Sequence, residues 1–142
     1  MRCLLDVNVL VALTFQTHAF HDRTQKWFRL EKQRPWASCA LTQGGYLRLA
    51  VHMIGKSHEA IAEALEMLQQ NCLNTDHEFW SVDTNLLDLP PRDRRRLIGV
   101  GQVADMQLLM MAYERDALLV TFDQGMRELA RGTKFQDSLL VL

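Results

Sequence analysis

The sequence predicts an α/β domain built on a central parallel sheet. Two observations carry that prediction. Short apolar runs, the mark of buried strands, alternate along the chain with stretches of helical period. Two of those runs end on an aspartate: Cys3-Leu4-Leu5 runs into Asp6, and Ala117-Leu118-Leu119-Val120-Thr121-Phe122 runs into Asp123. In open parallel sheets ligands bind beyond the carboxyl ends of the strands, where the strand order reverses, so both acids are expected at a functional edge. Right-handed crossovers favour the order 3-2-1-4-5, which makes the first and fourth strands neighbours and sets Asp6 beside Asp123. Residues 1–142 read as a single domain, since 142 residues suit one core and no repeat, low-complexity tract or linker divides them.

Each element has its own signal. The first strand is expected over Arg2–Leu5 and a short helix over Val7–Thr14. A second helix begins near His18-Ala19-Phe20-His21 and carries Trp27, Phe28 and Leu30 on one face, with Pro35 ending the gap after it. Trp36-Ala37-Ser38-Cys39 is a short strand. A helix then starts near Leu41-Thr42, with Tyr46, Leu47, Leu49, Ala50 and Met53 as its apolar face, and Gly55 interrupts it. Ser57 is a good N-cap for a helix over Glu59–Leu73. Phe79-Trp80-Ser81-Val82 is expected as the third strand, and Pro90-Pro91 marks a break before a charged helix or loop over Arg92–Leu97. Val103–Tyr113 is a strongly apolar helix whose Met106, Met110 and Met111 suit core filling. The fourth strand ends near Thr121, a helix follows Asp123, and Ser138–Leu142 is a fifth strand.

Composition narrows the function classes. At 48% apolar and 23% charged the chain is an ordinary globular protein. Sixteen basic and 17 acidic residues leave a formal charge of −1, so any nucleic-acid contact must use a local patch rather than an overall basic excess. The 3 cysteines, Cys3, Cys39 and Cys72, are too few and too unevenly spaced for a disulfide framework or a zinc site. A reducing, cytoplasmic setting is expected, with no signal peptide, because Asp6 interrupts the apolar start, and no run of transmembrane length.

The acids carry the chemistry. Asp105, in the first turn of its expected helix, is a third carboxylate for the same sheet edge. Each acid alone has an ordinary explanation: Asp6 and Asp123 precede helices as N-caps, and Asp105 favours the positive end of a helix dipole. Together they repel unless a cation sits among them. Hard oxygen donors of this kind suit Mg²⁺ or Mn²⁺, and such a site supports phosphoryl transfer without a His or Lys base.

Four segments then resemble a known family. Leu4-Leu5-Asp6-Val7-Asn8, Cys39-Ala40-Leu41-Thr42-Gln43-Gly44-Gly45-Tyr46-Leu47-Arg48, Val103-Ala104-Asp105-Met106-Gln107-Leu108-Leu109 and Leu119-Val120-Thr121-Phe122-Asp123 occur in the order and spacing of PIN-domain proteins, and within those of toxin ribonucleases of the VapC type. The resemblance implies a three-layer α/β/α PIN-like fold and Mg²⁺- or Mn²⁺-dependent endoribonuclease activity on single-stranded RNA. It assigns Asp6, Asp105 and Asp123 to an acidic metal pocket, with Asn8 and Thr121 as supporting polar residues. It also implies a small antitoxin of the VapB type as partner and a homodimer, with no membrane. The departure is Gln43, where the family pattern has a glutamate. An amide is nearly isosteric with a carboxylate but carries no charge and presents a donor. Position 43 is therefore expected to point over the sheet edge toward Asp6 as a weakened fourth catalytic residue, in either an inactivated form or a natural variant with weaker metal binding.

Other residues have weaker claims. Arg92, Arg94, Arg95 and Arg96 surround Asp93 and form either a solvated face or a phosphate-steering patch, and Arg48 either reaches a phosphate or pairs with an acid. His18 and His21 suit surface or capping roles, and Trp27, Trp36 and Trp80 suit the core. An aspartyl-nucleophile phosphatase would want a second acid at Asn8, and a phosphoacceptor signalling domain would want paired early acids with a late lysine. The remaining rival is a non-catalytic binding module that keeps the fold, partner and RNA surfaces but has lost turnover through Gln43.

Overall fold

The structure, a computed structural model, describes residues 1–30, 35–73 and 75–142. The elements run β1 (Cys3–Leu5), α1 (Val7–Thr14), α2 (His21–Leu30), β2 (Trp36–Cys39), α3 (Ala40–Ile54), α4 (Ala60–Leu73) and β3 (His77–Trp80). They continue with α5 (Pro91–Arg94), α6 (Gly101–Glu114), β4 (Leu118–Thr121), α7 (Gly125–Ala130) and β5 (Leu139–Val141), with short 3₁₀ turns at Leu86–Asp88 and Gln136–Ser138. The five strands form one sheet in the order β3-β2-β1-β4-β5, and every pairing is parallel. The expected gap before Pro35 lies outside the described residues.

Strand alternation builds the three layers. Cys3, Leu5, Trp36 and Val120 face α1, α3 and α4, where they pack with Val9, Leu13, Tyr46, Ala50, Ala64 and Leu68. Leu4, Ala37, Cys39 and Leu119 face the other way, onto Met106, Leu109, Met110 and Met111 of α6 and Met126 and Leu129 of α7. Strands buried on both faces must be apolar throughout, which is why β1 and β4 read as unbroken apolar runs.

The third strand differs from its expected span. It covers His77–Trp80 rather than Phe79–Val82, because Trp36 through Cys39 of β2 pair with His77 through Trp80 and α3 begins at Ala40. Main-chain pairing, not local apolarity, sets its ends. The expected charged segment over Arg92–Leu97 is helical only from Pro91 to Arg94. The helix expected from Val103 begins two residues earlier, at Gly101, so Asp105 stands in its second turn.

One glycine sets how closely two layers approach. A Cβ at Gly45 would lie 2.5 Å from Val7 Cγ2 and 3.4 Å from Val7 Cγ1, so only a residue without a side chain lets α3 pass the start of α1. Val7 adjoins Asp6, and this close approach sits directly behind the sheet edge that carries the acids. Tyr46, the next residue, donates its hydroxyl to Ala64 O at 3.0 Å and ties α3 to α4.

Candidate active site

Parallel pairing carries Asp6 to the site. The backbone N–H of Asp6 donates to Val120 O at 3.0 Å, which continues the β1–β4 ladder one residue past β1. Asp6 is buried and splits its two oxygens between two tasks. Its Oδ1 accepts from Val7 N at 2.7 Å and caps α1, while its Oδ2 accepts the Thr121 hydroxyl at 2.6 Å. Capping and site membership are therefore not alternatives at this residue.

Thr121 and Asn8 form the frame around it. Thr121 Oγ1 accepts from Asn8 Nδ2 at 3.1 Å and from the backbone N–H of Asp123 at 3.0 Å. Asn8 Oδ1 accepts from Phe122 N at 3.2 Å. The Asn8 amide thus clips the first turn of α1 onto the chain leaving β4. Asp123 is exposed, and its Oδ1 accepts from Gly125 N at 2.8 Å at the start of α7.

Asp105 completes the group from α6. The helix-dipole explanation fails for it, because its helix starts at Gly101 and the dipole effect fades beyond the first turn. Among the described residues its carboxylate takes part in no hydrogen bond or ion pair. Burial pushes its pKa up to about 6, and the charges of Asp6 and Asp123 push in the same direction. The Asp6 carboxyl is likewise raised, chiefly by burial and also by Asp123, against the lowering effect of its bonds from Thr121 and Val7. The three acids therefore repel one another, as expected for carboxylates gathered at one edge. Among the described residues no three His, Cys, Asp or Glu side chains form a ready-made inner-sphere cage. The donor set fits an ion that keeps several of its own waters and takes only one or two carboxylates directly, which is the habit of Mg²⁺.

Gln43, expected to point toward Asp6, makes no hydrogen bond to the three acids among the described residues; its side-chain partner is Ser38. Its Nε2 donates to Ser38 Oγ at 3.0 Å, and Ser38 Oγ lies 2.8 Å from His77 Nε2. The side chain lines a hollow with Leu65, Leu68, Gln69, Cys72 and His77, against α4 and β3. The physical reason is local: buried Ser38 needs a donor on its hydroxyl, and the amide of Gln43, one turn into α3, supplies it.

The arginines divide. Arg94 donates to two backbone carbonyls, Leu89 O at 2.9 Å and Leu87 O at 2.6 Å. Arg96 donates to Glu128 O at 3.2 Å, and its Nε lies 3.5 Å from the buried Asp93. These two secure the loop before α6. Asp93 Oδ2 has no hydrogen-bond partner among the described residues, and Arg92 Nε stands 3.7 Å from its Oδ1. Arg48, Arg92 and Arg95 are exposed. His21 Nδ1 donates to Ala12 O at 2.7 Å, and His18 Nδ1 accepts from Phe20 N at 3.1 Å, so both histidines shape the turn ahead of α2.

The sequence matches the family model described as PIN domain over residues 3–132, a span that takes in the whole site. The chain belongs to the PIN-domain family. Among its relatives, Ribonuclease VapC44 of Mycobacterium tuberculosis is 42% identical over 125 residues, covering 88% of each chain. Ribonuclease VapC38 of the same organism is 37% identical over 129 residues, covering 90% of this chain and 89% of its own. Ribonuclease VapC39 is 31% identical over 131 residues, covering 92% and 94%. The strand order of this PIN domain is the one the sequence predicts, and Asp6 and Asp123 follow β1 and β4, the neighbours at which that order reverses. Among the described residues no helix is long and apolar enough to cross a membrane.

Two features of the PIN domain escaped the sequence. Gly45 gave a signal, because two glycines inside a helix are costly unless something requires one of them. The Ser38–His77 contact gave none, since the two residues are 39 apart and meet only through strand pairing.

Proposed function

We propose that this chain is a divalent-metal-dependent endoribonuclease of the VapC type that hydrolyses single-stranded RNA using Mg²⁺ or Mn²⁺. The observation that carries the proposal is the gathering of Asp6, Asp105 and Asp123 at one edge, where burial first and then the charges of the other two acids lift the Asp105 pKa to about 6. Relatives named as ribonucleases support it, and PIN-domain ribonucleases generally use divalent ions. Asp105 and Asp6, with Asp123 at the rim, are the residues that would hold the ion. When bound, the ion would supply an acidified water and charge to offset the phosphate. Thr121 holds Asp6 Oδ2 in place, and Asn8 holds the β4 exit that presents Asp123. The remainder follows the family: a VapB-type antitoxin over the site, a homodimer, a cytoplasmic setting, and one domain spanning the chain. Of the arginines that the sequence singled out, the exposed Arg48, Arg92 and Arg95 are left available for phosphate.

With its amide bonded to Ser38, Gln43 supplies no fourth carboxylate, so turnover would rest on the three aspartates. It also keeps the binding-module alternative concrete, because the position where the family has glutamate is neutral here. The deciding assay is cleavage of single-stranded RNA with Mg²⁺ or Mn²⁺, with EDTA, and with Asp105→Asn. Metal-dependent cleavage lost in Asp105→Asn is expected. RNA and partner binding without any cleavage would favour the binding module, and cleavage that survives both EDTA and Asp105→Asn would overturn the acidic site.

A further inference from the structure

Phe122 lies between two residues of the site, Thr121 and Asp123, and its backbone N–H is held by Asn8. Against its ring lies Phe20, from the turn ahead of α2, with centroids 4.8 Å apart and planes inclined by 34°. Phe20 remains 43% exposed. The His18 ring is 5.9 Å from Phe20, and the Arg23 guanidinium stands over Phe122 at 6.0 Å.

The turn that presents Phe20 is tied down rather than loose. Phe20 O accepts from Thr24 N at 2.9 Å and from the buried Thr24 hydroxyl at 2.8 Å. Its N–H is satisfied by His18 Nδ1. His21 Nδ1 and Gln25 Nε2 fasten the start of α2 to the Ala12 and Leu13 carbonyls of α1. A ring fixed in this way loses little freedom on meeting a ligand.

The chemistry around it narrows what that ligand is. The chain carries a formal charge of −1, and the site beside Phe122 is itself acidic, so the backbone of a nucleic acid gains little from general attraction. Stacking of an unpaired base on an aromatic face supplies affinity without needing positive charge, and it does not depend on base identity. We propose that Phe20, backed by Phe122, is a stacking platform for an unpaired base flanking the phosphodiester at the acids, with Arg23 placed for a neighbouring phosphate. This inference rests on the endoribonuclease proposal above. It adds a requirement that the substrate be unstacked next to the cut, so that loops and single strands are accepted and duplexes are not.

The test compares Phe20→Leu, which stays apolar but cannot stack, with Phe20→Trp, which can. Steady-state cleavage of a single-stranded RNA should show KM raised about 5- to 150-fold in Phe20→Leu, with kcat much less affected, and near-parental KM in Phe20→Trp. A 2-aminopurine base beside the cut should be quenched when the RNA binds Asp105→Asn protein, and the quenching should vanish when Phe20→Leu is added to that background. If the parent cleaves RNA and Phe20→Leu matches it in KM and quenching, the platform is overturned while the nuclease proposal stands. The platform is likewise overturned if Phe20→Leu loses a protein partner but keeps its RNA KM. If the parent cleaves no RNA, both fall together.

Discussion

Thr121 Oγ1 donates to Asp6 Oδ2 at 2.6 Å, joining adjacent parallel strands across 115 residues of chain. The same oxygen accepts from Asn8 Nδ2 and from the backbone N–H of Asp123. One buried hydroxyl therefore orients one acid, secures the amide of a second residue, and sets the backbone that presents another acid. Valine has the shape of threonine but not the hydroxyl.

Thr121→Val should accordingly strand two donors and remove the hydrogen bond that holds the Asp6 pKa down. Buried groups left unpaired cost about 1–3 kcal/mol. Thermal unfolding should show a fall of several degrees, with metal-dependent cleavage reduced by more than the fraction unfolded explains. Thr121→Ser, which restores the hydroxyl, should recover most of the activity. Parental stability and activity in Thr121→Val would show that the frame does not matter.

The Asp105 carboxyl predicts a pH dependence for the metal-free protein. Burial, then Asp6, then Asp123 raise its folded pKa to about 6 from the ordinary aspartate value of 3.8. Between those values the folded state holds more protons than the unfolded one, so stability falls as pH rises from about 4 to about 6 and then levels off. The group is only half buried, so solvent screening limits the effect to about 1–2 kcal/mol. Melting curves in EDTA should fall by about 2–6 °C across that window. Asp105→Asn should flatten the fall, and Mg²⁺ or Mn²⁺ should reverse it in the parent only. A flat parental profile would show that the Asp105 carboxyl is not raised in the folded protein.

Gln43→Glu tests the neutral position directly. In the parent, Ser38 Oγ accepts from Gln43 and so has its own proton to give to His77 Nε2, while burial keeps the His77 pKa below its ordinary value. A carboxylate cannot donate to Ser38. It would instead take the serine proton, require a proton on His77 Nε2, and raise the histidine pKa, as NMR titration of the imidazole can read. Cleavage should rise by about 10²-fold, the lower end for a general base, because the carboxylate must leave Ser38 to reach the acids. Unchanged cleavage alongside a shifted His77 would show that the three aspartates suffice.

Gly45→Ala tests the spacing behind the site. Alanine is favoured over glycine in a helix by about 1 kcal/mol, but here its methyl meets the β-branched Val7, and overpacking costs about 1–3 kcal/mol. A net loss of stability is expected by chemical denaturation. Adding Val7→Ala should make Gly45→Ala neutral or stabilising relative to Val7→Ala alone. The same loss in both backgrounds would rule out the contact as its cause.

The sequence by itself determined the architecture. Apolar runs without polar alternation require strands buried on both faces, which in turn requires a parallel sheet between helix layers. β1, β2 and β4 ended where their residues indicated, and the acids after β1 and β4 fell at the switch point because a 3-2-1-4-5 order makes those strands neighbours. Asn8 and Thr121 came from the resemblance to PIN-domain proteins, and the structure shows the two side chains hydrogen-bonded to each other. What only the tertiary structure decided were the features that depend on distant partners. The span of β3 was set by pairing to β2, not by its own apolarity. Gln43 turned onto Ser38 because a buried hydroxyl on β2 competes for its amide. Arg94 and Arg96, read from sequence as part of either a solvated face or a phosphate patch, donate to backbone carbonyls, and Arg96 also stands beside Asp93. Phe20 came to rest on Phe122 because the turn between α1 and α2 folds back over the exit of β4. Local pattern encodes which face a residue shows, whereas the identity of the group it meets there is settled by chain closure over 39 to 115 residues, which no short-range period records.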